Sequence, residues 1–302
     1  MKFFILMIAV FIQLRKPLIR CDLPTQWFDH WLQWAAGLSA FSQGPGWRRY
    51  LLLVGLPVLA SMLVFAQLEN LFWGLAALVV EVLLVAILIR PAASWMALQS
   101  YREHLNHGDV QGAFYCARKY VGSECKALDK SSMNSGVIRI LTSRWFEHFF
   151  LMLFWYLLLG ISGMILVWLT SLYCLNTASE TVSEVPQDAD INPEQMDAKH
   201  WLAWIPVRLL GLSYCLIGYF SAGYETWKQH AGNRRISNDE LLFLVGERAL
   251  EQKNGLDPDE SDDAVDMDQA ARRLSRWQNL QWESALLWMA GLAAASIAGW
   301  IL

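Results

Sequence analysis

Two ionisable side chains stand inside long apolar runs of this sequence. Glu81 lies near the middle of Leu71–Ile89, and Arg208 lies beside Pro206 within Trp201–Phe220. A charge at the centre of a bilayer costs at least ~2.5–3.5 kcal/mol on insertion scales, so such groups face a bundle interior and take partners. Glu81 and Arg208 therefore either line a ligand pocket or form a polar network that only holds helices together. A third reading of Arg208 puts it near an interface, with its charged head reaching water. Pro206 adds weight to the pocket, because a proline inside a helix releases backbone groups that a cavity can use.

Other chemistry is poorly supported. Cys21, Cys116, Cys125, Cys174 and Cys215 form no Cys-x-x-Cys pair, so they read as reduced packing residues and not as a zinc site. His104 and His107 could share a helix face, but no acid is spaced to complete a metal site, and they read as surface histidines. Ser123–Lys126 fits Ser-x-x-Lys, yet neither Ser-Asp-Asn nor Lys-Thr-Gly occurs. Gly44-Pro45-Gly46 has no Gly-Lys-Ser/Thr after it, which excludes a phosphate loop. In the acidic run Asp257–Asp268, a calcium loop would need Gly and Glu where Asp262 and Asp268 stand, so the run reads as a solvated linker. No metal or cofactor is expected, and a net charge of −4 argues against nucleic acid as a partner.

The elements that must position Glu81 and Arg208 are membrane helices. Of 302 residues, 55% are hydrophobic and 17% charged, against about 25% charged in soluble domains. Sixteen Trp fit a chain rich in membrane–water boundaries. Apolar runs at Tyr50–Leu68, Leu71–Ile89, about 149–173, about 201–220 and Ser284–Leu302 approach the ~20 residues that cross ~30 Å of hydrocarbon. Phe3–Ile12, followed by Arg15 and Lys16, reads as an uncleaved short span or an interfacial helix. Lipid demands internally bonded backbone, so the fold class is all-α: a polytopic membrane helical bundle with about five or six membrane segments, a single domain over 1–302.

Basic residues set the orientation. Arg48, Arg49, Arg90, Arg102, Arg118, Lys119, Lys126, Lys130, Arg139 and Arg144 lie on one side, while the acidic connection 174–200 has only Lys199. Helical regions about 91–148 and 221–283 are thus predicted cytoplasmic, and the loop 174–200 and the C-terminus periplasmic. Within 221–283, Asn238–Gln252 and Gln269–Trp282 are amphipathic, with Ser237 or Asn238 as the cap of the first.

Trp204-Ile205-Pro206-Val207-Arg208-Leu209, then Gly211, Tyr214 and Leu216-Ile217-Gly218, resembles a signature shared by two related membrane families, AmpE and the cobalamin-biosynthesis enzymes CobD/CbiB. Glu81, Arg90, Gly108-Asp109, Ala117-Arg118, Val121-Gly122, Leu128-Asp129 and Leu153-Phe154-Trp155-Tyr156 with Gly160 follow the same order, so the resemblance spans about 70–230. Val207, Tyr-x-Leu-Ile-Gly and the short length are closer to AmpE. Where the enzyme family has a Glu-Ser-x-x-Glu-Asn cluster, this chain has Arg139, Ile140, Ser143 and Arg144, an inversion of charge that disfavours magnesium–ATP chemistry.

The resemblance implies an inner-membrane regulatory or sensory protein tied to β-lactamase induction and peptidoglycan recycling; it leaves open whether any reaction is catalysed, and ligand binding is the reading preferred over enzymatic turnover. Trp204, Pro206 and Gly218 would be structural parts of the motif. Glu81 and Arg208 would form the base of a pocket, with Arg118, Arg139 and Arg144 at its cytoplasmic mouth. An anionic ligand such as a muropeptide or nucleotide would suit that patch; flanking positive-inside charge is the plainer reading of the same arginines. The partners expected are the lipid bilayer, that small anion and, as an open option, a second copy of the chain. The alternative function is a ligase or transferase related to CobD/CbiB, using Glu147, Asp109 or Glu124 as its acids. A transporter lacks support, because no inverted repeat occurs.

Overall fold

The computed structural model describes residues 5–9, 28, 30–32, 34, 48, 50–69, 75–89, 91–121, 130–183, 193–233, 236–251 and 267–298. Arg15, Lys16, Cys21, Gly44–Gly46, Arg49, Arg90, Gly122–Asp129, residues 184–192 of the acidic connection and most of the acidic run 257–268 lie outside the described residues. The chain falls into two compact units, Met1–Arg90 with Leu151–Ala203 and Pro91–Phe150 with Trp204–Leu302. Among the described residues both are all-α, as the sequence leads one to expect.

In the first unit a π-helical turn, Leu51–Gly55, runs directly into α1 (Leu56–Glu69). Helix α2 (Leu75–Leu88) packs against α1, and both pack on α7 (Ile161–Ser183). This is the expected hairpin. Its core gathers Phe28, Leu53, Val54, Val58, Leu169, Leu172 and Tyr173, and the Tyr50 and Thr170 hydroxyls bond at 2.8 Å across it.

The expected single span 149–173 is corrected. A π-helical turn, Phe146–Leu151, leads into α6 (Met152–Leu159), and the chain breaks at Gly160 before α7 begins. Gly160 has φ 69°, in the left-handed region that a side chain opposes. Three residues on, a Cβ at Gly163 would strike the Trp155 carbonyl, so α7 folds back onto α6 through that glycine. At eight residues, α6 is about 12 Å long and too short to cross a bilayer alone.

The second unit contains α3 (Pro91–Asn106), α4 (Val110–Val121), α5 (Lys130–Trp145), most of α8 (Pro193–Ile217), α9 (Phe220–His230), α10 (Asn238–Glu251) and α11 (Met267–Ile297). Helix α11 packs on α3, α5 and α10, and α10 packs on α5 and α9. Tyr101, Leu105, Ile138, Leu141, Trp145, Leu242, Val245, Leu274 and Trp277 fill the space between them. The amphipathic stretch 269–282 and the expected last span from Ser284 are one continuous helix, α11, because nothing between them breaks the backbone ladder.

Two local devices fix the helix ends. Gly108, at φ 69°, closes α3: its N–H bonds the Leu105 carbonyl at 3.1 Å and Asp109 N–H bonds that of His104 at 3.0 Å. Asp109 then caps α4, accepting the Gly112 N–H at 2.8 Å. That bond, and secondarily His104 at 3.2 Å, holds the Asp109 carboxyl below its ordinary value. Ser237 caps α10, accepting the Glu240 N–H at 3.2 Å, which settles the choice between Ser237 and Asn238.

Among the described residues one helical stretch, Ala198–Ile217, is long and apolar enough to cross a membrane; Leu51–Gln67, Leu78–Leu88 and Ile161–Cys174 are shorter apolar stretches.

Candidate functional site

The motif on α8 is built around a broken backbone ladder. Pro206 has no N–H, so the Leu202 carbonyl four residues earlier loses its helical partner. Within the first unit, Trp155 fills that gap: its indole N–H donates to the Leu202 carbonyl at 3.1 Å. The backbone group released by Pro206 is thus taken by a side chain.

Arg208, 8% exposed, finds its partners inside the second unit. Its Nε donates to the Ala231 carbonyl at 2.6 Å and its Nη1 to the Trp204 carbonyl at 2.9 Å. Its guanidinium carbon lies 3.9 Å from the centre of the Trp204 ring. Ala231 caps the C-terminus of α9, where carbonyls lack helical donors and carry partial negative charge. Trp227, also on α9, donates to the Arg208 carbonyl at 3.0 Å. Gly211 lets the Trp227 ring approach, since a Cβ there would sit 3.1 Å from it.

The same logic runs to the end of the motif. A Cβ at Gly218 would lie 2.6 Å from the Ala249 carbonyl, and Tyr219 N–H bonds that carbonyl at 2.8 Å. Glycine is required because the last turn of α10 touches the backbone here. Tyr214 is fully buried edge-on against Trp277. Among the described residues, Trp204 Nε1 and the Tyr214 hydroxyl are the polar atoms of the motif left without a partner.

Glu81 lies in the first unit, half-buried on α2, and accepts the hydroxyl of the fully buried Tyr156 at 2.9 Å. The two ionisable residues singled out by the sequence thus belong to different units, and the partners the structure gives each lie within its own. Arg118 on α4 and Arg139 and Arg144 on α5 are exposed. Arg139 and Arg144 are five residues apart, which turns them about 140° around the helix, so they do not share one face.

Sequence reasoning missed a polar cluster in the second unit. Arg273 pairs with Glu247 and donates to the Ser135 hydroxyl at 3.2 Å, while the Trp277 indole donates to Glu247 at 3.0 Å. Gln281 donates to Thr142 at 3.1 Å in the same interior. Only the amphipathic pattern of α10 and α11 hinted at it. A cavity of about 290 Å³ adjoins the end of the α8 motif, lined by Ile217, Gly218, Arg276, Asn279 and Glu283 among others.

Comparison with known proteins gives three findings. The family model for "Regulatory signalling modulator protein AmpE" matches residues 25–281. The cobalamin biosynthesis protein CobD of Chromobacterium violaceum is 24% identical over 185 residues, which cover 59% of this chain and 57% of that protein. The chain therefore spans little more than half the length of that curated relative. No solved structure matches.

Proposed function

The chain belongs to the AmpE family of regulatory signalling modulator proteins, and on that premise we propose that it is a multi-pass regulator of a bacterial inner membrane that senses an anionic small molecule. The carrying observation for the membrane is α1. This helix has no polar stripe, and Leu59, Leu63 and Val64 are 63%, 70% and 57% exposed. A helix apolar all round with an exposed face is suited to lipid, not to water. The Ala198–Ile217 stretch adds a segment of spanning length. β-Lactamase induction and peptidoglycan recycling are the setting we assign to the signal, and a muropeptide or nucleotide is the class of ligand.

Topology is tested by impermeant maleimide labelling in a background without native cysteines. Glu180→Cys is expected to react in intact cells and Gln229→Cys only after permeabilisation; the reverse pattern overturns the orientation. For the regulatory role, deletion of the gene is expected to change inducible β-lactamase expression, and restoration by the intact chain completes the test. Unchanged induction contradicts it.

The distant similarity to CobD fits a second reading without favouring it, a membrane-bound ligase or transferase. Arg139 and Arg144 stand against it, since they replace acids that magnesium–nucleotide chemistry would need. Magnesium-dependent ATP consumption by the purified chain would establish the second reading in place of the first.

A further inference from the structure

We propose that the cavity beside the end of the α8 motif binds a short peptide in its zwitterionic form, with Arg276 taking the carboxylate and Glu283 the ammonium. This goes beyond the anionic-ligand reading above and does not depend on it. The cavity measures about 290 Å³, the room of about ten waters at ~30 Å³ each, which suits a dipeptide.

The register of α11 sets the polar wall. Arg276, Asn279, Leu280 and Glu283 stand at i, i+3, i+4 and i+7, so they share one face and line the cavity together. Arg276 and Glu283 are two turns apart, about 10.5 Å along the axis. That exceeds the three- or four-residue spacing at which opposite charges pair on a helix. Among the described residues, no side-chain hydrogen bond or ion pair engages Arg276, Asn279 or Glu283. Their neighbours on α11 are committed: Arg273 pairs with Glu247, Gln278 accepts from Arg102 at 3.3 Å and Gln281 donates to Thr142 at 3.1 Å.

The opposite wall supplies the rest. Ile217 and Gly218 come from the end of α8 and Leu250 from the end of α10. Helix C-termini carry partial negative charge and favour a cation, so both ends act with the Glu283 carboxylate on an ammonium. The planar guanidinium of Arg276 matches the two oxygens of a carboxylate, and the Asn279 amide adds donors beside it. Two residues of extended chain span roughly 7 Å, and the Arg276 and Glu283 side chains close the remaining distance. Ile217, Leu250 and Leu280 give apolar contact to the side chains of the peptide. A simple anion meets Glu283 and the helix ends, and a simple cation meets Arg276; a ligand with both charges satisfies both.

The test uses the full chain in phosphatidylcholine nanodiscs, titrated calorimetrically with L-alanyl-L-alanine and with its D,D enantiomer. Saturable binding of at least one is expected, weakened about 10-fold or more by acetylating its amine or amidating its carboxylate. That comparison needs only the wild-type chain, so it stands whether or not a variant folds. Arg276→Gln and Glu283→Gln are each expected to weaken binding by a similar factor. The losses are expected to be paired: Glu283→Gln no longer discriminates against the acetylated peptide, and Arg276→Gln no longer discriminates against the amide. Arg276 also borders a second cavity, about 360 Å³, with Arg102 of α3, and Arg102→Gln is expected to leave binding unchanged. Binding that falls in Arg102→Gln but not in Glu283→Gln puts the peptide in that second cavity and overturns this site. No binding of either enantiomer, or binding indifferent to both blocking groups, overturns the proposal. Loss on amidation alone overturns the zwitterion, because the cavity then reads only a carboxylate.

Discussion

Arg208 on α8 and Arg276 on α11 sit in the same unit and meet opposite fates. Arg208 stands in an apolar stretch beside a proline, the place where sequence logic looks for function. Its guanidinium is engaged by the Ala231 and Trp204 carbonyls and by the Trp204 ring. Arg276 stands on an ordinary amphipathic helix, yet it lines both cavities. The difference shows that burial in apolar surroundings commits a charge to structure, because desolvation leaves it no option but fixed partners.

The largest effect that would break this comparison comes from Arg208. Arg208→Ala strips the C-terminus of α9 of its donor and empties the space over Trp204. A loss of about 3 kcal/mol is expected from unpaired buried groups and lost packing, read as a lowered denaturation midpoint in detergent. Next is Gly218→Val, which presses side-chain carbon against the Ala249 carbonyl and is expected to destabilise by about 1–3 kcal/mol. Smaller again are Glu81→Gln and Tyr156→Phe, each about 1 kcal/mol. Their double variant is expected to lose less than the sum, because the two side chains share one bond.

The smallest effect is at Asp109. Its folded carboxyl lies below the ordinary 3.8, so its contribution is present at higher pH and is lost as pH falls through the folded value. The melting temperatures of wild type and Asp109→Ala are expected to differ by a constant amount above about pH 5 and to converge in stronger acid. A gap that persists in acid would mean that the Gly112 cap does not depend on the ionised carboxylate.

Much of the fold was legible. Apolar runs gave the α1–α2 hairpin, and Ser237 was readable as a cap. The break at Gly160 was not, because hydropathy is blind to a positive φ within an unbroken apolar run. The fusion of the amphipathic stretch with the last apolar run into α11 was hidden for the opposite reason: composition changes there while the backbone does not. At the site, Glu81 and Arg208 were rightly seen to need partners. Glu81 takes Tyr156, 75 residues away, and Arg208 takes backbone carbonyls, which carry no sequence signal. Arg102 and Arg276 come together only through the packing of α3 on α11, which no local pattern encodes.

The most direct test of the contrast is Arg276→Gln in one preparation, with alanylalanine affinity and thermal melting read side by side. Affinity is expected to fall about 10-fold or more while stability stays within about 0.5 kcal/mol of wild type. A melting temperature that drops while alanylalanine binds as before would contradict the contrast, making Arg276 a structural residue like Arg208.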